Sequence, residues 1–302
     1  MSAPGRPRIA YRRRASPLHA TRGTVVGAYC AAISVAALMT EHPLLLGSLL
    51  ATVLCAGAAA GDGPQLLRAL RRSAIPLFAL SVAVNLLVSR QGLTVFARLG
   101  DWGALGQVNL TLEALVCGAV FALRLLVVGL ACVLAVCAAD PDQLLGSFRR
   151  LSPRVALSAT LALRLVPVLA ADASRLAEAQ RCRPGARGRS PGARERLAVL
   201  RATVAGALER SLDVAAVLEM RGYPSPRRAA RKLGARSRHD LAFAASAGAI
   251  ALAALACALD GVARFHAYPL VSAPLDPAVV ALALALPAIA LAPFLDRAGI
   301  EP

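Results

Sequence analysis

No Gly-x-x-x-x-Gly-Lys-Ser/Thr loop occurs in the 302-residue sequence, so nothing in it is built to cradle nucleotide phosphates, and a nucleotide-driven motor within the chain is not indicated. Serine never sits in a Gly-x-Ser-x-Gly elbow, which leaves hydrolase chemistry without a nucleophile. The four histidines, His19, His42, His239 and His266, are widely separated and supply no His-Glu-x-x-His element or other metal spacing. The seven cysteines, Cys30, Cys55, Cys117, Cys132, Cys137, Cys182 and Cys257, never form Cys-x-x-Cys, lie mostly in apolar runs and read as small buried hydrophobes. Aromatic residues make up only 4% of the chain, with nothing like a platform for stacking bases. A net charge of +17 and a pI near 11.2 therefore do not indicate nucleic-acid binding.

What is there is apolar. Hydrophobic residues reach 57% and mean hydropathy is +0.61, values of a membrane protein. Val25 to Thr40 and Pro43 to Ala60 are adjoining apolar runs parted by Glu41 and His42. Ala74 to Ser89, Leu112 to Ala138, Leu241 to Leu259 and Val279 to Leu291 supply four more. At 1.5 Å per residue several of these runs are long enough for a hydrocarbon core of about 30 Å; the first two are each short and read as a tight pair or a poorly spanning hairpin, and Pro287 in the last is tolerated as a kink. Six spans are expected. The first twenty-three residues hold six arginines and no acid, and the next loop on that side contributes Arg68, Arg71 and Arg72. The opposite loops, Glu41-His42, Gln91 to Thr111 and Gly261 to Pro277, are nearly balanced, so both termini are expected in the cytoplasm. The basic start lacks a small-residue cleavage signature after its apolar run, and is expected to be retained.

Between Ala139 and His239 the hydrophobicity breaks off, and twenty Arg/Lys face eight Asp/Glu. Asp140-Pro141-Asp142 is a helix-start signal for a short helix through Phe148. Ser152-Pro153 opens a longer one, Arg154 to about Arg181, with Leu161, Leu165, Val168, Leu169 and Leu176 near one face and a bend expected at Pro167. The Pro/Gly/Arg-rich run from Arg183 to Gly192 has no helix or strand pattern. Ala193 to Met220 then spaces Leu197, Leu200, Val204, Leu208, Leu212, Ala215 and Leu218 by threes and fours. The two amphipathic helices are expected to pack together, with Ala205, Gly206, Ala207, Ala215 and Ala216 allowing close approach. The second ends at Arg221-Gly222-Tyr223-Pro224, where Gly222 can adopt left-handed geometry.

Each long helix finishes in an arginine beside a chain break: Cys182-Arg183-Pro184 and Met220-Arg221-Gly222. A last-turn arginine gains about 0.3–1 kcal/mol from the helix dipole, which explains either one alone. Two such ends also suit a docking surface, because a guanidinium grips a carboxylate with two parallel hydrogen bonds. Arg124 and Arg164, each amid apolar residues, must face protein, water or headgroups; Arg124 reads as structural or as part of a substrate path.

The ordered residues resemble the transmembrane coupling subunit of energy-coupling factor transporters, the EcfT family, which includes the CbiQ-type subunits of cobalt uptake systems. The resemblance runs from about Asn85 to Tyr223. It rests on Asn85-Leu86-Leu87 with Arg90-Gln91-Gly92, on Thr111 to Leu115 with Gly118 and Ala122-Leu123-Arg124-Leu125, and on Asp140 to Leu145 with Leu163 to Pro167. Glu178 to Arg183 and Leu208-Glu209-Arg210-Ser211 through Tyr223 complete it. The family's paired X-Arg-X motifs fall on Cys182-Arg183-Pro184 and Met220-Arg221-Gly222. Pro184 departs from the glycine common after the first arginine, and restricts Arg183 before it.

The resemblance implies an all-α polytopic membrane protein with about six transmembrane helices and a cytoplasmic pair of long amphipathic coupling helices. Its expected parts are a basic cytoplasmic N-terminus (1–23), N-terminal transmembrane helices (24–138), a coupling-helix domain (139–239), a C-terminal transmembrane hairpin (240–295) and a cytoplasmic tail (296–302). It further implies a non-enzymatic role in a bacterial cytoplasmic membrane. Two ATP-binding cassette subunits, which hold ATP and Mg, dock at Arg183 and Arg221 with their neighbours. A separate small membrane subunit captures the vitamin, cobalt or nickel, and this chain itself binds no cofactor or metal. Read without the resemblance, the residues also fit a membrane scaffold whose basic hairpin binds anionic lipid or an acidic protein, or a self-contained secondary transporter.

Overall fold

The computed structural model describes residues 14–88, 95–101, 107–141, 143–144, 153–182, 192–223, 237–260 and 276–296. The N-terminal arginines before Arg14, the loop residues 261–275 and the tail beyond 296 lie outside them. The chain divides into two compact units, a membrane unit within Pro7–Leu144 and Arg236–Pro302 and an insert unit within Leu145–Ala235.

The membrane unit is built from α1 (Gly23–Met39), α2 (Pro43–Ala59), α3 (Gly63–Val88), α4 (Leu112–Ala138), α7 (Arg238–Asp260) and α8 (Pro277–Leu291), followed by a 3-10 turn at Ala292–Phe294. All six expected apolar runs fall in these helices. Local chemistry sets the boundaries. Pro43 opens α2 at its first position, where its missing N–H costs nothing, and the His42 ring accepts from Leu44 N at 3.3 Å. Gly61, at φ +84, ends α2 in a left-handed turn: Asp62 N donates to Gly57 O at 2.8 Å and Gly61 N to Ala58 O at 3.0 Å.

The same tight turn changes one expectation. Arg68, Arg71 and Arg72 do not lie in a loop but in the first turns of α3, because the chain reverses at Gly61 and is helical again from Gly63. A second difference lies between α3 and α4. Val95–Asp101 (β1) and Gln107–Thr111 (β2) pair antiparallel, with Arg98 opposite Asn109 and register shifts on either side, inside a stretch expected to be loop.

The core of the membrane unit gathers α1, α2, α4, α7 and α8, with Leu66 from the first turn of α3. Tyr29, Phe243 and Phe294 meet edge to face, with centroids 5.4 and 5.1 Å apart, and the Tyr29 hydroxyl donates to Ala290 O at 2.9 Å. Such aromatic pairs add about 0.5–1.5 kcal/mol beyond the area they bury. Helices α3 and α4 approach closely at Gly118, where a Cβ would stand 2.8 Å from the Val82 backbone, and the Ser81 hydroxyl donates to Gly118 O.

The insert unit contains α5 (Pro153–Arg181) and α6 (Ala193–Met220), with bounds close to those read from the sequence. Among the described residues, four helices are long and apolar enough to cross a membrane: Leu112–Ala138, Leu157–Arg181, Arg238–Asp260 and Pro277–Phe294. The chain is thus an all-α multi-pass membrane protein carrying one small β-hairpin. Helices α1 and α2 are apolar but shorter. The candidate within α5 is the least apolar of the four and buries none of its residues. It qualifies because Arg164 is its sole charge before Asp172.

Candidate coupling surface

Helices α5 and α6 meet at small residues. Ala202, Thr203 and Gly206 face Asp172, Arg175 and Leu176 across an open groove. Arg210 closes the contact with a fork: both Nη atoms donate to Asp172 Oδ2 at 3.1 Å, while Arg175 Nη1 stands 3.8 Å from Asp172 Oδ1. Of the small residues expected at this contact, Gly206 lines the groove and Ala215 and Ala216 do not, although all three are exposed. Each helix continues past the fork by about ten residues, roughly 15 Å of rise. One arm ends at Cys182 and the other at Arg221.

The end of α6 has the geometry its sequence predicts. Gly222 adopts φ +74, Gly222 N donates to Glu219 O at 2.8 Å and Tyr223 N to Leu218 O at 3.0 Å. This reciprocal closure satisfies carbonyls that a helix end otherwise leaves bare, and it fixes the backbone under Arg221, whose side chain is exposed. Met220 beside it is 80% exposed. At the end of α5, Cys182 N donates to Glu178 O at 3.1 Å, and the Cys182 side chain is exposed. Arg183 and Pro184 lie outside the described residues.

Helix α6 buries no residue at all. Leu197, Leu200, Val204, Leu208 and Leu212, expected to pack against the neighbouring helix, are instead exposed, as are Val155, Leu163, Val166 and Val168 of α5. A single helix–helix contact covers only one narrow stripe, and these side chains lie off it. An apolar surface this extensive marks a protein or lipid contact.

Arg124 of the membrane unit is half-buried and is used internally. Arg124 Nη2 donates to Thr40 O at 2.8 Å, and its guanidinium lies 5.4 Å from the Phe121 ring centroid. It thereby caps the carbonyl end of α1, where a cation is favoured. Of the two roles open to Arg124, the structure shows the structural one. Arg164 is exposed, and Glu113 is buried at the start of α4.

Sequence reasoning missed a polar knot. Asp62 pairs with Arg14 Nε at 3.3 Å and His19 Nε2 at 3.5 Å, Gln65 Nε2 lies 3.5 Å from it, and Cys137 Sγ bonds Gln65 Oε1 at 3.1 Å. Ser16 Oγ sits 2.7 Å from His19 Nδ1, and Arg14 also donates to Gly61 O. Burial holds the His19 imidazole below its ordinary pKa, against the opposing pull of Asp62. The Ser16-His19-Asp62 line is buried throughout. The lone acid of the Gly61-Asp62-Gly63 turn was the only signal available. Among the described residues no three His, Cys, Asp or Glu side chains gather to hold a metal ion.

No curated protein matches the chain. The family model for CbiQ, described as cobalt transport protein, matches residues 14–230, which take in the helices from α1 to α6. With most of its length matched, membrane helices and exposed helix pair alike, the chain belongs to the CbiQ family and is a membrane component of a cobalt-type, multi-subunit transporter.

Proposed function

We propose that this chain is the coupling subunit of an energy-coupling factor importer in a bacterial cytoplasmic membrane. It passes motion from two ATP-binding cassette subunits to a separate small membrane subunit that holds the cargo. The cargo is a transition-metal ion such as cobalt or nickel, or a vitamin, and the family description favours cobalt. ATP and Mg belong to the partners. The insert unit stands in the cytoplasm with both termini, and Leu157–Arg181 runs there rather than through lipid. Placing Arg164 near a bilayer centre would cost about 2.5–3.5 kcal/mol or more.

The observation that carries this reading is the bare helix pair. It is pinned at one forked ion pair, leaves α6 with no buried residue, and extends two arms of similar length, each bearing an arginine motif at its end. Such a pair suits two like partners, one at each tip, with Cys182, Arg183 and Pro184 on one contact and Met220, Arg221 and Gly222 on the other. A docked guanidinium that loses its carboxylate strands that charge, at about 2–5 kcal/mol.

Membranes carrying the affinity-tagged chain are solubilised, and every stoichiometric partner is identified. Two ATPase copies and one small membrane protein are expected. The double variant R183E plus R221E is expected to insert normally, lose both ATPases and abolish energised uptake. Normal ATPase association and uptake in that variant would overturn the proposal.

A further inference from the structure

The N–H groups that open a helix have no partner within it, and a side chain placed just before the helix usually supplies one. Helix α1 has no such cap of its own: Arg22 occupies the position, and its side chain makes no capping bond. Two distant pieces of chain take over. Arg22 N donates to Asp240 Oδ1 at 2.8 Å, and Gly23 N donates to Gln143 Oε1 at 3.1 Å.

These acceptors occupy particular places in the chain. Gln143 lies just before Leu145, where the insert unit begins, and Asp240 lies just after Arg236, where the membrane unit resumes. The start of α1 therefore holds both crossings of the insert unit side by side, although they are far apart in sequence. Asp240 contributes twice more. Its Oδ2 stands 3.4 Å from Arg22 Nε and accepts from Ser237 N at 3.1 Å, so one carboxylate both starts α7 and ties it to α1. A carboxylate at the positive end of α1 is also favoured by that helix's dipole.

Gly23 makes the inbound contact possible. A Cβ there would stand 3.2 Å from Asp140 O and 3.3 Å from Leu144 Cγ, so any larger residue pushes the inbound stretch away. Behind this joint, α1 is rigidly seated: Tyr29 bonds Ala290 O, and Arg124 caps the far end. A pull on either crossing is therefore felt first by the caps of a helix packed in the centre of the membrane unit.

We propose that the N-terminus of α1 is the joint that couples the insert unit to the membrane helices, with Arg22, Gly23 and Asp240 as positioning residues. This rests on the reading of the chain as a coupling subunit. The joint converts displacement of the two crossings into displacement of α1, and it touches neither nucleotide nor cargo.

The complex copurified with this chain is reconstituted in vesicles, and ATP hydrolysis and uptake of radioactive cobalt(II) are measured on the same samples. Gly23→Ala, Asp240→Asn and Arg22→Gln are expected to keep subunit stoichiometry and most of the hydrolysis while uptake per ATP falls about tenfold. Arg22→Lys recovers part of the loss. Ser237→Ala removes only the hydroxyl that accepts from His239 N, and is expected to leave the ratio unchanged. Uptake and hydrolysis falling in proportion, or Ser237→Ala uncoupling as much as Gly23→Ala, would overturn the joint.

Hydrogen exchange on the purified chain in detergent gives a second reading that needs neither partner nor cargo. Gly23→Ala is expected to speed exchange in residues 137–144 and 237–242 together, and acceleration confined to the first segment counts against the joint. Absence of any ATPase partner from the wild-type preparation defeats the coupling reading itself, and leaves the exchange result to decide whether the clamp exists.

Discussion

In the membrane unit, Tyr29, Phe243, Phe294 and Leu134 are almost wholly enclosed, whereas Leu208, Leu212 and Met220 of the insert unit, equally apolar, stand 62%, 71% and 80% exposed. The first group gains its stabilisation within the chain, since a fully buried large apolar side chain is worth about 1.5–3 kcal/mol. The second has no such return until something else covers it. The contrast teaches that the two units differ in what covers their apolar side chains: one supplies its own packing, and the other leaves large apolar residues uncovered within the chain.

The sharpest way to break that contrast is to damage packing where the chain supplies it. At Gly118 the Val82 backbone leaves no room for a Cβ, and backbone cannot swing aside as a side chain can. Gly118→Val is expected to force α3 and α4 apart at a cost of about 1–3 kcal/mol or more, read as a lower thermal midpoint of the purified chain in detergent. An unchanged midpoint would mean that the close approach is dispensable.

The converse change belongs to the insert unit. Leu208→Gln with Met220→Gln removes apolar surface that nothing in the chain covers. The stability of the isolated chain, read from its thermal midpoint, is expected to change by no more than about 0.5 kcal/mol, as is typical of surface substitutions. Capture of ATPase partners, measured as stoichiometry after affinity purification, is expected to fall by about tenfold, the equivalent of 1.4 kcal/mol. Loss of stability with capture intact would show that these side chains pack within the chain after all.

The sequence carried the same contrast unevenly. Helix ends were legible wherever one residue dictates the backbone: Gly222 takes its left-handed turn as expected, and α6 begins and ends where the periodicity placed it. The apolar runs fall in helices, three of them long and apolar enough to cross a membrane, but the face of α6 misled. Leucines spaced by threes and fours read as a packing stripe, and periodicity reports that a face is apolar without naming what it meets. The β-hairpin was missed because its strands are short and only the second, Gln107–Thr111, alternates. The contact between Arg22 and Asp240 was illegible for a different reason: it spans 218 positions, and nothing in the local sequence of either residue points to the other. The assignment of the arginine motifs leans on family resemblance, since a last-turn arginine taken alone has an ordinary dipole explanation.

A smaller effect is expected from the fork that pins α5 to α6. Asp172 and Arg210 are 29% and 40% exposed, so solvent screens much of their attraction. A double-mutant cycle with Asp172→Ala and Arg210→Ala is expected to give a coupling of about 0.2–1 kcal/mol, near the upper end because both Nη atoms engage one carboxylate. In the reconstituted complex the same pair is expected to matter more for uptake than for stability, because a helix pair that slips at its crossing transmits less of a push. Equal and small effects on both would remove the fork from the coupling path and leave it as a surface ion pair.

The gentlest perturbation returns to the self-packed unit. His19 has its side chain fully enclosed, with Asp62 on one nitrogen and Ser16 on the other, and Arg14 already supplies Asp62 with a cation. Burial outweighs the attraction of Asp62, so the folded-state pKa lies below the unfolded value of 6.5. The neutral ring is therefore the form the fold favours. Its contribution is fully present above the unfolded pKa, and is lost as pH falls through 6.5 and on toward the folded pKa. The thermal midpoint of the chain in detergent is expected to drop between about pH 7.5 and pH 5.5, and His19→Gln, which cannot take up a proton there, is expected to shrink the drop. A midpoint that rose on acidification and lost the rise in His19→Gln would show that attraction to Asp62 exceeds the cost of burying a charged ring. The knot would then be a true His–Asp ion pair beside Arg14, and burial would no longer set its protonation.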